Sequence, residues 1–278
     1  MVDIGGRRLH LIREGRKGAG PSVLLEAGAF GFSADFGVVQ EKLAAQGWHV
    51  CSYDRAGLGL SDPGPQPRDG LAVVGDLEKL LAAAHEDGPF ILVGHSMAGL
   101  YLRLFANRNP DKVVGLVLVD AATPEATATP VGRQFARQFA RVSRLAAFGA
   151  RIGLYGPLAG TWFGDKIGLT PVASAEKRRA FASPTHNRWA SAEIDQWIAT
   201  AEEARATGPL NPKWPVAVIV AGHRRPEGAL SPMRAAPARQ SAHGYEESVA
   251  GASHTTLLGL IYAEAIVRGV GQVRDAAR

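Results

Sequence analysis

The chain has one cysteine in 278 residues, Cys51. A single thiol excludes an internal disulfide and any zinc site built on several cysteines. Cys51 lies within Trp48-His49-Val50-Cys51-Ser52-Tyr53, which reads as a buried strand, so it is expected to be a small core residue. Nowhere is there an apolar run long enough to span a bilayer. The first residues, Met1-Val2-Asp3-Ile4-Gly5-Gly6, lack the charged start and apolar stretch of a secretory leader, and a cytoplasmic location is expected. The net charge of +5 is modest and mostly dispersed, which gives no nucleic-acid footprint. Acidic residues are missing from one place. None occurs between Glu125 and Asp165, whereas Arg133, Arg137, Arg141, Arg144 and Arg151 all do. This stripe reads first as a solvated helix face. Attraction of anionic substrates such as acyl-CoA esters, or of an anionic membrane surface, stays open behind that reading.

What is present is the composition of an ordinary globular protein, 46% hydrophobic and 21% charged, long enough for one large domain or one domain carrying an insert. Short apolar runs alternate with amphipathic stretches, which predicts an α/β fold with a mostly parallel sheet and helices on both faces. Strands are expected at 8–12, 22–26, 49–53, 90–93, 113–119, 215–221 and 245–249. Helices are expected at 35–46, 71–85, 100–107 and 255–270. Residues 124–207 carry helical patterns and no clear strand. In 134–145 the apolar positions Phe135, Phe139, Val142 and Leu145 fall on one face, beside the arginine stripe. Residues 1–122 and 208–278 therefore read as a sheet domain, and 123–207 as an inserted helical cap.

One stretch is chemically specific. Gly94-His95-Ser96-Met97-Ala98-Gly99 follows the apolar run Phe90-Ile91-Leu92-Val93 and precedes a helical pattern. A serine on a sharp strand-to-helix turn, with small residues two before and two after, has the pattern of a nucleophile elbow. Larger side chains at Gly94 or Ala98 would collide with the crossing backbone. The bland alternative is a helix-capping serine.

Three further segments stand in order around it: Leu25-Glu26-Ala27-Gly28-Ala29-Phe30-Gly31, Tyr53-Asp54-Arg55-Ala56-Gly57-Leu58-Gly59-Leu60-Ser61-Asp62, and Leu116-Val117-Leu118-Val119-Asp120. Together the four resemble the motifs of the α/β-hydrolase family, over nearly the whole chain outside the cap. The resemblance implies a cofactor-free serine hydrolase whose members carry nucleophile, acid and histidine in that order along the chain. Ser96 stands at the nucleophile. His254, after the last predicted strand, stands where the family places its base. His243 precedes the same strand, and His223 follows the seventh. His95 is expected to pack or hydrogen-bond beneath the turn.

The acid is the difficulty. Many members have Gly-x-x-Asp after the seventh strand, but here the stretch is Ala221-Gly222-His223-Arg224-Arg225-Pro226-Glu227. Some relatives place the acid at the end of the sixth strand, and Asp120 is assigned on that ground, with Glu227 as the alternative. The oxyanion hole is expected at the backbone N–H groups of Met97 and Ala29, with Phe30 second. Asp54, Arg55 and Ser61 are expected to brace their own loop, with Gly57 and Gly59 permitting its path.

A serine nucleophile argues against the dehalogenases and epoxide hydrolases of the family, which use aspartate. Small-molecule carboxylic esters with an apolar acyl group are the expected substrates. Acyl transfer or peracid formation with the same residues, and a non-catalytic small-molecule receptor, are the other readings. Phe30, Phe32, Trp162, Phe163, Trp189 and Trp197 would line an acyl site or form the core of the cap. No metal site is expected, and the oligomeric state is not legible.

Overall fold

The computed structural model describes residues 1–222 and 231–278, with side chains from 233 in the second stretch. Its centre is a seven-stranded sheet, in which strands are numbered along the chain. A two-stranded ribbon of β1 (Val2–Asp3) and β2 (Arg8–Leu9) precedes it. The sheet holds β3 (Leu11–Glu14), β4 (Ser22–Glu26), β5 (Val50–Tyr53), β6 (Phe90–His95), β7 (Val113–Val119), β8 (Val216–Ala221) and β9 (Gly244–Val249). Their spatial order is β3-β5-β4-β6-β7-β8-β9. Only β3 runs antiparallel to its neighbour.

The expected strand at 8–12 is two strands. His10 separates them, because its N–H donates to Ser61 Oγ and its ring meets Asp54 Oδ2 at 3.0 Å. Leu11–Glu14 then pairs on β5 while Arg8–Leu9 turns back to β1.

Alternation along the strands builds two cores. Leu24, Leu92, Leu116, Leu118, Val216 and Val218 face one side. Val23, Ile91, Val93, Val117, Val119 and Ile219 face the other. Strands buried on both faces need helices on both faces. α2 (Gly70–Ala83) and α3 (Ala98–Arg108) cover the first, and α1 (Gly37–Ala45) and α11 (Glu264–Ala276) the second. Cys51 is fully buried in the first core, and burial pushes its thiol up to about 12.

Between β7 and β8 the chain inserts α4 (Pro124–Ala128), α5 (Pro130–Arg151), α6 (Gly156–Ala159), α7 (Pro171–Ala182), α8 (Pro184–Asp195) and α9 (Trp197–Ala206). Their starts are encoded locally. Thr129 and Ser183 accept from the N–H groups of Gly132 and His186, each followed by a proline at the first helical position, where a missing N–H costs nothing. α10 (Ser231–Gln240) lies between β8 and β9.

The apolar stripe of α5 is not its buried side. Its inward side is small, with Ala136, Ala140, Ser143 and Ala150 buried. Ser143 Oγ lies 3.1 Å from Ser191 Oγ of α8, the close approach that small residues allow. Phe135, Val142 and Leu145 instead face solvent.

The last helix departs from expectation. A short 3-10 turn, Thr256–Leu258, comes first and α11 starts only at Glu264. A β-carbon at Gly259 would stand 2.0 Å from the Ile167 carbonyl oxygen, so the chain passes that point in extended form. Among the described residues no helix is long and apolar enough to cross a membrane.

Candidate active site

The site lies at the carboxyl ends of β6, β7 and β9. Ser96 directly follows β6 with φ of 57°, a left-handed conformation that a non-glycine residue adopts at a cost of order 1–3 kcal/mol. Two backbone bonds stitch it down. Its N–H donates to Val119 O at 3.0 Å, and its carbonyl accepts from Ala122 N at 2.8 Å. Its small neighbours act differently from expectation. A β-carbon at Gly94 would meet the Leu102 side chain at 2.5 Å, whereas one at Gly99 would stand 2.4 Å from the Ala122 carbonyl oxygen. The crossing backbone therefore constrains Gly99 most directly, and Gly94 makes room for α3.

Asp120 follows β7, also left-handed with φ of 43°. His254 lies in the turn after β9, half-exposed, and its Nδ1 is 2.6 Å from Asp120 Oδ2. Burial alone would raise the Asp120 carboxyl. The His254 hydrogen bond and the charge of Arg234 outweigh that and hold it below the ordinary carboxylate value. An ionised Asp120 only accepts, so His254 Nδ1 carries the hydrogen of this bond. Arg234 on α10 donates to the other oxygen, Oδ1, at 2.7 Å.

His95 sits beneath this pair. Its ring is buried, and its Nε2 donates to the His254 carbonyl at 2.8 Å. Burial first, and the neighbouring His254 second, lower it to about 3, so it is neutral near pH 7. His95 thus ties the elbow to the backbone of the residue that meets Asp120. His243 immediately precedes β9, at the other end of that strand. Glu227 and His223 lie outside the described residues.

The loop after β4 covers Ser96. A β-carbon at Gly28 would stand 2.9 Å from Ser96 Cβ and 3.0 Å from the His95 carbonyl oxygen, so only glycine permits this approach. Among the described residues the N–H groups of Ala29, Phe30 and Met97 enter no backbone hydrogen bond.

Arg55 fixes the loop's orientation, a reach the sequence reading missed. It is 2% exposed and donates to Ala27 O at 2.6 Å, Gly28 O at 2.8 Å and Glu26 Oε1 at 2.7 Å. Its Nε donates to both oxygens of Glu193 on α8, each at 3.0 Å. Gly28 C=O and Ala29 N–H belong to one planar peptide. Holding that carbonyl towards Arg55 turns the Ala29 N–H the opposite way. The Phe30 carbonyl is held as well, by Lys177 Nζ at 3.0 Å and His186 Nε2 at 3.2 Å. His186 Nδ1 accepts from Gly59 N, so Nε2 is the donor, and burial lowers this imidazole to about 4.

Asp54 and Ser61 do brace their own loop. Asp54 Oδ2 accepts from Leu60 N at 2.9 Å, and Ser61 Oγ donates to Asp54 O at 2.6 Å. Gly57 and Gly59 take positive φ there. Of the six aromatic candidates, Phe32, Trp189 and Trp197 are buried, Phe30 is half-buried, and Trp162 and Phe163 are exposed.

Comparison with known proteins agrees on the architecture. A candidate epoxide hydrolase of Pseudomonas aeruginosa superposes with TM-score 0.75 at 20% identity, covering 100% of this chain and 97% of that one. A thermophilic esterase of Thermogutta terrifontis gives TM-score 0.69 at 22% identity, covering 96% and 94%. At these identities the likeness concerns the fold. An uncharacterized protein of Schizosaccharomyces pombe is 31% identical over 180 residues, covering 62% of this chain and 31% of that one. The chain spans less than a third of its curated relatives from that yeast and from Hormonema carpetanum. The family model for serine aminopeptidase, S33, matches residues 21–219, which include the elbow, the loop above it and Asp120. The chain belongs to the serine aminopeptidase S33 family of α/β-hydrolases.

Proposed function

We propose that the protein hydrolyses small carboxylic esters through an acyl-enzyme on Ser96, with His254 as base and Asp120 as the acid that orients it. Ser96 Oγ attacks the ester carbonyl carbon and passes its proton to His254 Nε2. Asp120 accepts from Nδ1–H throughout and stabilises the imidazolium. The N–H groups of Met97 and Ala29 receive the oxyanion, where each preorganised donor is worth about 10²–10³ in rate. His254 returns the proton to the departing alkoxide, and water repeats the sequence on the acyl group.

The observation that carries the proposal is the 2.6 Å contact between His254 Nδ1 and Asp120 Oδ2, together with a serine in left-handed backbone at the end of β6, the strand next to the one that leads into Asp120. Residues 123–207 act as a lid over this centre, and apolar acyl groups are the preferred cargo. A fluorophosphonate probe tests the chemistry. Stoichiometric labelling of wild type, lost in Ser96→Ala together with nitrophenyl-ester turnover, is the expected result. A folded wild-type protein that neither labels nor turns over nitrophenyl esters of short or long acyl chain overturns it in favour of a receptor.

A further inference from the structure

Large apolar side chains left in solvent crowd one part of this molecule. Of sixteen among the described residues, eleven lie between Val131 and Val172, and two more are Leu260 and Ile261. Isolated exposed apolar residues are ordinary, but a continuous patch marks a surface meant to be covered.

Two groups of these residues reach the proposed catalytic centre. Phe135, Val142 and Leu145 are 53%, 58% and 70% exposed along α5. Phe135 stacks on Phe139 with ring centroids 5.8 Å apart, and Phe139 meets Phe30 edge-on at 6.3 Å. This group therefore begins at the loop over Ser96. A second begins beside His254. Thr255 Oγ1 donates to the Lys166 carbonyl at 3.3 Å, and the Lys166 ammonium lies 5.0 and 5.2 Å from the rings of Trp162 and Phe163. Leu260 N donates to Gly168 O at 3.0 Å, which brings Leu260 and Ile261 to the same stretch.

Charge says what covers the patch. Residues 126–164 contain five arginines and no acidic residue. Arg133 pairs with Glu202 and Arg144 with Asp195. Arg137, Arg141 and Arg151 have no carboxylate partner among the described residues. A long helix with a stripe of bulky apolar residues beside a stripe of arginines suits the plane of an anionic lipid surface. There the apolar side enters the acyl boundary and the guanidinium groups meet phosphates.

We infer that the rim formed by α5 and the Trp162–Lys166 stretch docks on an anionic lipid surface, delivering apolar esters to Ser96 from that surface. The delivery step rests on the proposed hydrolysis, while the docking stands without it. Flotation of the full chain with vesicles of equal parts phosphatidylglycerol and phosphatidylcholine, against phosphatidylcholine alone, tests it. The protein should float with the first and remain behind with the second. Val142→Ser with Leu145→Ser, and separately Arg137→Glu with Arg141→Glu, should each weaken binding about tenfold or more. Thermal melts and turnover of a soluble short-chain ester should not change. Absent flotation, variants that bind like wild type, or a dimer dissolved by the same substitutions would overturn the inference. Flotation without any ester turnover would instead remove the proposed hydrolysis and leave the docking intact.

Discussion

Replacing Arg55 by methionine would test how this chain holds the loop over Ser96. The guanidinium joins Glu26, Glu193 and the carbonyls of Ala27 and Gly28. Methionine fills much of the volume and supplies no donor. Leaving one buried charge unpaired costs about 3–5 kcal/mol, and here two carboxylates lose a cation. The sum is smaller than twice that figure. Burial already raises the Glu26 carboxyl with Arg55 present, so in the variant it takes up a proton instead of standing ionised. A net loss of about 3–5 kcal/mol follows, a large share of the usual 5–15 kcal/mol of stability, and the variant should still fold.

The loss has a pH signature. A carboxyl whose folded pKa lies above its unfolded value favours the folded state more as pH falls. The gap between wild type and variant in urea unfolding should therefore narrow from pH 7 to pH 5. Activity should fall further than stability requires. The freed Gly28 carbonyl lets its peptide rotate, and the Ala29 N–H turns with it. On the proposed mechanism kcat drops by up to about 10²-fold with KM nearly constant. A variant within about 1 kcal/mol of wild type, or one that keeps kcat and changes only KM, would refute this account of Arg55.

Three further outcomes are expected. Asp120→Asn should lower ester kcat by about 10³–10⁴-fold, because an amide at Oδ2 imposes the wrong tautomer on His254, while Glu227→Gln leaves it unchanged; the reverse result would move the acid to Glu227. His95 and His186, lowered to about 3 and about 4, make the fold acid-sensitive. Above pH 6.5 both states hold them neutral, and below it only the unfolded chain takes up protons, so stability falls by about 2 kcal/mol per imidazole between pH 6.5 and pH 5 and levels off below each folded value. His186→Gln should halve that slope in urea unfolding measured across the same range.

What could be read from the sequence was local or periodic. Short continuous apolar runs predicted the strands β4, β6, β7 and β8, and the two cores divide at alternate positions along them. Asp120 and His254 could be named because the family resemblance implies an acid and a base just beyond the strands they follow. Their contact spans 134 residues, and no pattern within either segment encodes it. Arg234 on Asp120, Arg55 on Glu193 and Lys177 on the Phe30 carbonyl were out of reach for the same reason. Each joins segments that are polar, ordinary and distant in the chain.

Which side of α5 turns inward was illegible for a different reason. An apolar stripe at helical spacing ordinarily marks the buried side, because burial is the commonest use of such residues. Here the close approach to α8 needs small side chains, so Ala136, Ala140 and Ser143 take the inward face. The bulky residues are displaced outward by that choice. Stability of the isolated chain gives them no reason to be large. Serine or lysine at 142 and 145 would suit a solvated helix better, and the surviving valine and leucine point to a second, water-excluding environment for this face. The three arginines without carboxylate partners are satisfied by water, and they are equally suited to phosphates. The proposed lipid surface therefore accounts for both the apolar residues and the arginines of α5, whereas water accounts only for the arginines.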